Sequence, residues 1–172
     1  MALVKISKGA DIRHEYTDGV SRVPVLEGAY KDAAVERISL QPGAELSPAL
    51  YSKTEHNQVF LITAGKGYIA TPRRVFNITE VSVFVPDFDK EQFTFHCAAD
   101  AKECMEIVHF VTELNDYDKT CLKEAHLTLP RFRGVSQAWH YKEDFTGADI
   151  QQMMMIEHRN LGRLSMGANF GT

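Results

Sequence analysis

The sequence lacks any apolar run approaching the roughly 18 residues that a membrane-spanning helix needs. Residues 1–10 contain Lys5 and Lys8 in a mixed stretch, without the apolar segment of a secretory signal peptide. The chain also lacks acidic or basic tails. Its net charge of −4 argues against nucleic acid as the main partner, because phosphate binding needs a surplus of Lys and Arg on one face. We therefore expect a cytoplasmic protein that binds neither membranes nor nucleic acids.

Cysteine is scarce and irregularly spaced. Cys97, Cys104 and Cys121 form an odd set that fits neither a disulfide framework nor a zinc-binding CxxC pair. Buried, reduced thiols are the expected state. With 172 residues, 44% of them hydrophobic and 24% charged, the composition excludes disorder, collagen-like repeats and a coiled coil. A chain of this length is expected to form one globular domain, or one domain plus a fragment of another.

Short stretches rich in β-branched and aromatic residues follow one another through the middle of the chain, each bounded by Gly, Pro or Asp turn signals. The predicted strands cover residues 35–40, 58–63, 67–71, 74–78, 81–85, 92–96 and 105–111. No helix of useful length interrupts them. This spacing is typical of a β-sandwich or small barrel, so the predicted fold class is all-β.

The segments around these strands are less regular. We interpret the chain as an N-terminal arm with strands, a barrel, a connector with a basic turn, and further C-terminal strands, at residues 1–34, 35–114, 115–135 and 136–172. Residues 9–12 recur at 147–150, and residues 37–40 are echoed at 163–166. Because both echoes keep the same order, the C-terminal strands are either the start of a second barrel unit or an extension of the first.

Turns and strand ends in the barrel carry a resemblance to a known family. They are Pro42-Gly43, Gly65-Lys66-Gly67 and the strand that ends in Pro86. This order of turns and strands resembles the cupin superfamily. In that family a Pro-Gly turn precedes the first motif, the strand of the first motif ends in Gly-x-Gly, and the strand of the second motif ends in Pro. The resemblance covers about residues 35–112 and implies an RmlC-like jelly-roll barrel. The layout is similar to the N-terminal half of a bicupin such as ureidoglycine aminohydrolase.

The resemblance also implies a metal ion inside the barrel, held by two His and one Glu from the first motif and one His from the second. The two first-motif His positions fall on Ser52 and Thr54, and the Glu position falls on Gln58. In the second motif the His position falls on Glu91. Because only the last of these is a good metal ligand, we expect a cupin-like barrel with a degraded metal site and no metal cofactor.

Nearby side chains could rebuild a metal site. His56 has the same parity as Gln58 and could point inward, because residues two apart on a strand share a face. With Glu91, and with His109 if its strand turns that residue inward, His56 would form a His/His/carboxylate set for iron, manganese or zinc. This set supports an alternative hypothesis, a metal-dependent isomerase, hydrolase or dioxygenase that acts on a small carboxylate or sugar acid.

Without a metal, the barrel is expected to bind a small polar metabolite or to be the non-catalytic half of a bicupin. Small barrels can enclose one ligand, and Tyr51, Glu55 and Gln58 are the polar residues that we expect beside it. The strand edges of an unfinished second unit predict a homodimer with strand exchange.

His96 and Cys97 are neighbours at the end of a predicted strand, with Cys104 and His109 after the following turn. This set could be interpreted as a soft zinc cluster. Strand alternation places His96 and Cys97 on opposite faces, however, so one ion could not bind both without a bulge. We therefore predict structural roles for this pair.

Overall fold

The computed structural model describes residues 12–26, 33–47, 56–87, 92–113, 116 and 129–137. In these ranges the chain is almost entirely strand, and no helix there is long and apolar enough to cross a membrane. The strands are β1 (Val20–Leu26), β2 (Ala33–Leu40), β3 (Glu45–Leu46), β4 (His56–Ala64), β5 (Gly67–Ala70), β6 (Val75–Ile78), β7 (Ser82–Val85), β8 (Thr94–Cys97), β9 (Met105–Glu113) and β10 (Arg131–Gly134). A turn of 3-10 helix, Val135–Gln137, follows β10.

The strands form two antiparallel sheets. The larger sheet has six strands in the order β1-β2-β9-β4-β7-β10, and the smaller has four in the order β3-β8-β5-β6. The centre of the large sheet is the long pairing of β9 with β2 on one side and with β4 on the other. Except for β1-β2 and β5-β6, neighbouring strands in each sheet are not consecutive in the chain, which crosses repeatedly between the two sheets.

The predicted all-β class is confirmed, and each of the seven predicted strands is present with ends within two residues of those expected. β1 falls within residues 1–34, where strands were expected without stated bounds, and the two-residue β3 was missed. Residues 131–134, interpreted as a basic turn of the connector, instead form β10, which pairs with β7. The pairing turns Phe132 towards the core, where its ring stacks at 5.5 Å on Phe76 of the small sheet. Of the C-terminal strands predicted from residue 136 onward, only the 3-10 turn falls within the described residues.

The core lies between the inward faces of the two sheets. It consists of Ile38, Leu40, Leu46, Phe60, Ile62, Ile69, Ile78, Phe84, Phe93, Phe95, Cys97, Met105 and Ile107. Phe60 is its centre, with ring centroids of Phe84, Phe93 and Phe95 at 5.0–6.2 Å in tilted or edge-on arrangements. Such aromatic contacts add to the free energy of burying the rings. The core therefore joins strands from both sheets through one aromatic cluster.

The Gly-Lys-Gly turn between β4 and β5 needs its glycines. Gly65 has a φ of +86°, and a Cβ there would lie 2.5 Å from the Cα of Met105. At Gly67 a Cβ would collide with the backbone carbonyl of His96. The turn therefore passes against the backbone at the start of β9 at Gly65 and against the backbone of β8 at Gly67, which explains the Gly-x-Gly pattern in physical terms.

Candidate functional site

The inward face of the large sheet changes from apolar to polar along its strands. On β4, Phe60 and Ile62 face the core, and Gln58 follows them on the same side. On β9, Ile107 belongs to the core, and His109 follows it. Gln58 is 2% exposed and His109 is 1% exposed, so both polar side chains are buried. One end of the barrel interior is therefore a polar layer, and we call it the polar end.

Glu36 connects this layer to the edge of the sheet. Nδ1 of His109 donates to Oε1 of Glu36 at 2.7 Å. On the other side of Glu36, Arg22 donates from Nη2 to Oε1 at 2.7 Å and from Nε to Oε2 at 3.0 Å. A two-point Arg–carboxylate contact fixes orientation as well as charge. Arg22, Glu36, His109 and Gln58 thus form one hydrogen-bonded row across β1, β2, β9 and β4.

Burial and charge set the protonation of this row. Burial lowers the pKa of His109 below its usual range, and the neighbouring Glu36 opposes that shift only in part. Burial alone would raise the pKa of Glu36, but hydrogen bonds from His109 and Arg22 outweigh it and lower that pKa. At neutral pH the row therefore contains a charged carboxylate, a charged guanidinium and a neutral imidazole.

A neutral His109 carries one ring proton, and Glu36 holds it on Nδ1. The other ring nitrogen, Nε2, then has a lone pair and lies 3.0 Å from the side-chain oxygen of Gln58. Two acceptors do not bond to each other, so this contact is satisfied when the Gln58 amide turns its NH₂ group towards Nε2. The ring is also stacked on Phe60, with centroids 4.3 Å apart and planes 7° apart. His109 is thus held as an acceptor that faces the amide of Gln58.

The structure brings together two of the residues that the sequence singled out, Gln58 and His109. His56 begins β4, and its backbone pairs with Glu113, but its side chain lies outside the description. The other candidate residues fall outside the described ranges: Tyr51, Ser52, Thr54, Glu55 and Glu91.

The described residues do not by themselves form a metal site. Within the described ranges, no three His, Cys, Asp or Glu side chains are grouped closely enough to hold an ion. At the polar end, Gln58 occupies the position that the resemblance assigns to a Glu ligand, and an amide brings no negative charge. His109 already uses its two ring nitrogens on Glu36 and Gln58. The rebuilt set of His56, Glu91 and His109 stays a prediction.

Sequence reasoning missed Glu36 and Arg22. Glu36 had a usable signal, because it alternates with Ile38 and Leu40 on β2, and both of these face the core. A charged residue on the inward face of a strand is a candidate for function or for pairing. Arg22 had no such signal, since Val20–Leu26 contains a proline and no regular alternation.

A second Glu–His–aromatic group lies on the outer face of the small sheet. Nδ1 of His96 is 3.0 Å from Oε1 of Glu45, and the His96 ring stacks on Tyr68 with centroids 4.3 Å apart. Glu45 and Tyr68 are the residues paired with His96 in the registers of β3 and β5. Cys97, the next residue, points into the core, so the predicted opposite facing of His96 and Cys97 is confirmed.

Comparison with known proteins identifies the fold. The cupin domain of Schizosaccharomyces pombe Cnp3 matches with a TM-score of 0.50 at 13% identity, over 64% of this chain and 75% of that one. KdgF from Halomonas sp. matches at 0.52 and 11%, over 66% and 97%. A predicted oxalate decarboxylase from Thermotoga maritima matches at 0.53 and 16%, over 64% and 100%. No protein-family model and no curated protein matches the sequence. The chain therefore has the cupin jelly-roll fold.

Proposed function

We propose that this cupin-fold barrel binds a small polar metabolite at the polar end of its interior, without a metal ion. The observation that carries the proposal is the buried imidazole of His109, with Glu36 on Nδ1 and Gln58 beside Nε2. Apolar side chains of similar size would fill the same space at a smaller desolvation cost. A polar row in an interior that is largely apolar is suited to the recognition of a polar ligand.

The surrounding chain supports a ligand at this end. Gln58 is the third residue of β4, so the segment that leads into this strand joins the barrel next to the polar row. That segment contains Tyr51 and Glu55, which the sequence predicts as ligand-binding residues together with Gln58. Loop residues at the mouth of a rigid barrel are the usual source of specificity in such folds.

The test is a binding screen with a site-specific readout. Sugars, polyols, small amides and their carboxylate counterparts are added one at a time, and the ring ¹⁵N resonances of His109 and His96 are followed by NMR. A compound that binds as proposed shifts the His109 resonances and leaves those of His96 unchanged. If no compound moves His109, or if hits persist at full affinity in His109→Phe, the proposal is wrong.

The metal-dependent alternative has one observation in its favour. A carboxylate on Nδ1 is the arrangement that orients metal-binding histidines, with Nε2 as the ligand atom. Elemental analysis of protein purified without chelator or nickel resin separates the two hypotheses. About one equivalent of iron, manganese or zinc per chain, lost in His56→Ala, would support an enzyme acting on a small carboxylate or sugar acid. Absence of metal, or full occupancy in His56→Ala, would remove that alternative.

We also propose that the protein assembles as a homodimer with strand exchange. In such an assembly the barrel would act as the non-catalytic half of a bicupin. Within the described ranges, β6 ends the small sheet, and Val75 on this strand is 59% exposed. A strand edge with an exposed apolar residue invites pairing with a second chain. Sedimentation equilibrium tests the assembly, and a monodisperse monomer at high protein concentration would contradict it.

A further inference from the structure

We infer that the polar end selects an uncharged ligand rich in hydroxyl or amide groups and discriminates against carboxylates and phosphates of the same shape. This inference rests on the proposed function, since it assumes that the polar end binds a ligand. The charges of Arg22, Glu36 and His109 support it. They indicate which class of small polar metabolite would bind.

The positive charge in the row is already compensated. Among the described residues, Arg22 is the cation that hydrogen-bonds into the polar end, and its guanidinium makes two charge-assisted bonds to Glu36. Anionic ligands are usually recognised by the same two-point contact with an arginine. Glu36 therefore occupies the position on Arg22 that a ligand carboxylate would take.

The ring proton of His109 is also already used, in a hydrogen bond to Glu36. Nδ1–H donates to Oε1 of Glu36, the oxygen that also accepts from Arg22, and both distances are 2.7 Å. A ligand carboxylate or phosphate at the polar end would meet Glu36 as a second negative charge. Because the charge of Arg22 is already used on Glu36, the four described residues of the row supply no further cation, and burying an anion beside them is unfavourable.

What the row offers to a ligand is an acceptor beside an amide. Nε2 of His109 accepts a hydrogen bond, and the amide of Gln58, whose oxygen is 3.0 Å away, can both donate and accept. A hydroxyl or an amide NH of a ligand can donate to Nε2 in place of the Gln58 amide, and an acceptor on the same ligand can face that amide. Vicinal hydroxyls and primary amides carry this pair of donors and acceptors without a net charge.

Matched ligand pairs test the inference in the full chain, in metal-free buffer at pH 7.5. D-Glucuronamide is compared with D-glucuronate, and each neutral hit of the binding screen with its carboxylate counterpart, by titration calorimetry. We expect the neutral member to bind at least about tenfold more tightly. In Glu36→Gln, which releases the charge of Arg22, this preference is expected to fall by about tenfold or to reverse. The matched control is Glu45→Gln, in the outer-face group around His96, and it should leave the preference unchanged.

Arg22→Gln serves as a second variant, because it keeps Glu36 and changes a more exposed residue. It should strengthen the preference for the neutral member, since the Glu36 carboxylate is then uncompensated. A carboxylate that binds the wild type as tightly as its neutral partner overturns this inference and leaves ligand binding intact. An unchanged preference in both Glu36→Gln and Arg22→Gln also overturns it. If neither member of any pair binds, the proposed function itself fails.

Discussion

Two histidines of this barrel, His109 and His96, have the same kinds of neighbours. Each has a glutamate on Nδ1, Glu36 at 2.7 Å and Glu45 at 3.0 Å. Each imidazole is stacked on an aromatic ring with centroids 4.3 Å apart. His109 lies on the inner face of the large sheet, whereas His96 lies on the outer face of the small one, so the contacts are alike and the environments differ.

Environment decides what the shared arrangement can do. His109 is 1% exposed, and burial lowers its pKa, so its ring is neutral with a fixed proton position. Glu45, the carboxylate beside His96, is 65% exposed, and water competes for each of its hydrogen bonds. A glutamate, a histidine and an aromatic ring therefore form a buried group with a fixed proton position inside the barrel and a solvated surface group outside it. Variants made in pairs, one in each group, test this difference.

The aromatic partners should show the largest contrast. Phe60 is fully buried and contacts three other core phenylalanines, so Phe60→Ala should lower the free energy of unfolding by about 4 kcal/mol. Tyr68 is 39% exposed, and Tyr68→Ala should lower it by about 1 kcal/mol or less. Urea unfolding of both variants gives the two values. Equal losses would mean that the two aromatic rings are buried to the same degree in solution.

The glutamates should differ next. Glu36→Gln removes a charged acceptor from both Arg22 and His109, and we expect a loss of about 2 kcal/mol in the free energy of unfolding. Glu45→Gln changes an exposed pair and should cost about 0.5 kcal/mol. The same urea experiment at pH 7.5 measures both. A loss in Glu45→Gln as large as in Glu36→Gln would contradict the role assigned to burial.

The pH dependence of stability should be the smallest effect, and it should belong to His109. Because burial lowers the folded pKa of His109, the unfolded chain binds a proton more readily, and stability should fall as the pH drops below about 6.5. The lowered pKa of Glu36 works in the same direction at more acidic pH. Urea midpoints between pH 8 and pH 5 measure the slope.

The matched variants for that slope are His109→Gln and His96→Gln. The slope between pH 7 and pH 5.5 should flatten in His109→Gln and persist in His96→Gln, because only the first variant removes the buried ring. A slope that survives in His109→Gln assigns the proton uptake to another group. A slope that vanishes in His96→Gln would contradict the assignment of the slope to the buried ring of His109.

Much of the barrel was predictable because its strands are short and are bounded by turn residues. The Gly-Lys-Gly turn after β4 is an example, since the backbone contact at Gly65 admits no side chain. β10 was not predictable from its own residues, because Arg131–Gly134 has charged side chains and becomes a strand only by pairing with β7. The two-residue β3 is defined in the same way, by its pairing with β8.

The candidate site was predictable only in part. The resemblance drew attention to Gln58, and parity allowed His109 to face inward, but their proximity depends on the register of β4 against β9. Glu36 and Arg22 belong to strands far earlier in the chain, and only the pairing of β1, β2 and β9 brings them to His109. Long-range register is set by the whole sheet, and local sequence does not encode it.

The amino-acid sequence by itself determined the all-β class and the positions of the central strands, because alternation and turn residues are local properties. Only the tertiary structure decided which histidine became buried. His96 and His109 both follow an aromatic or aliphatic stretch in the sequence, and both gain a glutamate in the fold. The face on which each lies, and therefore its protonation and its chemistry, follows from how the two sheets close on one another.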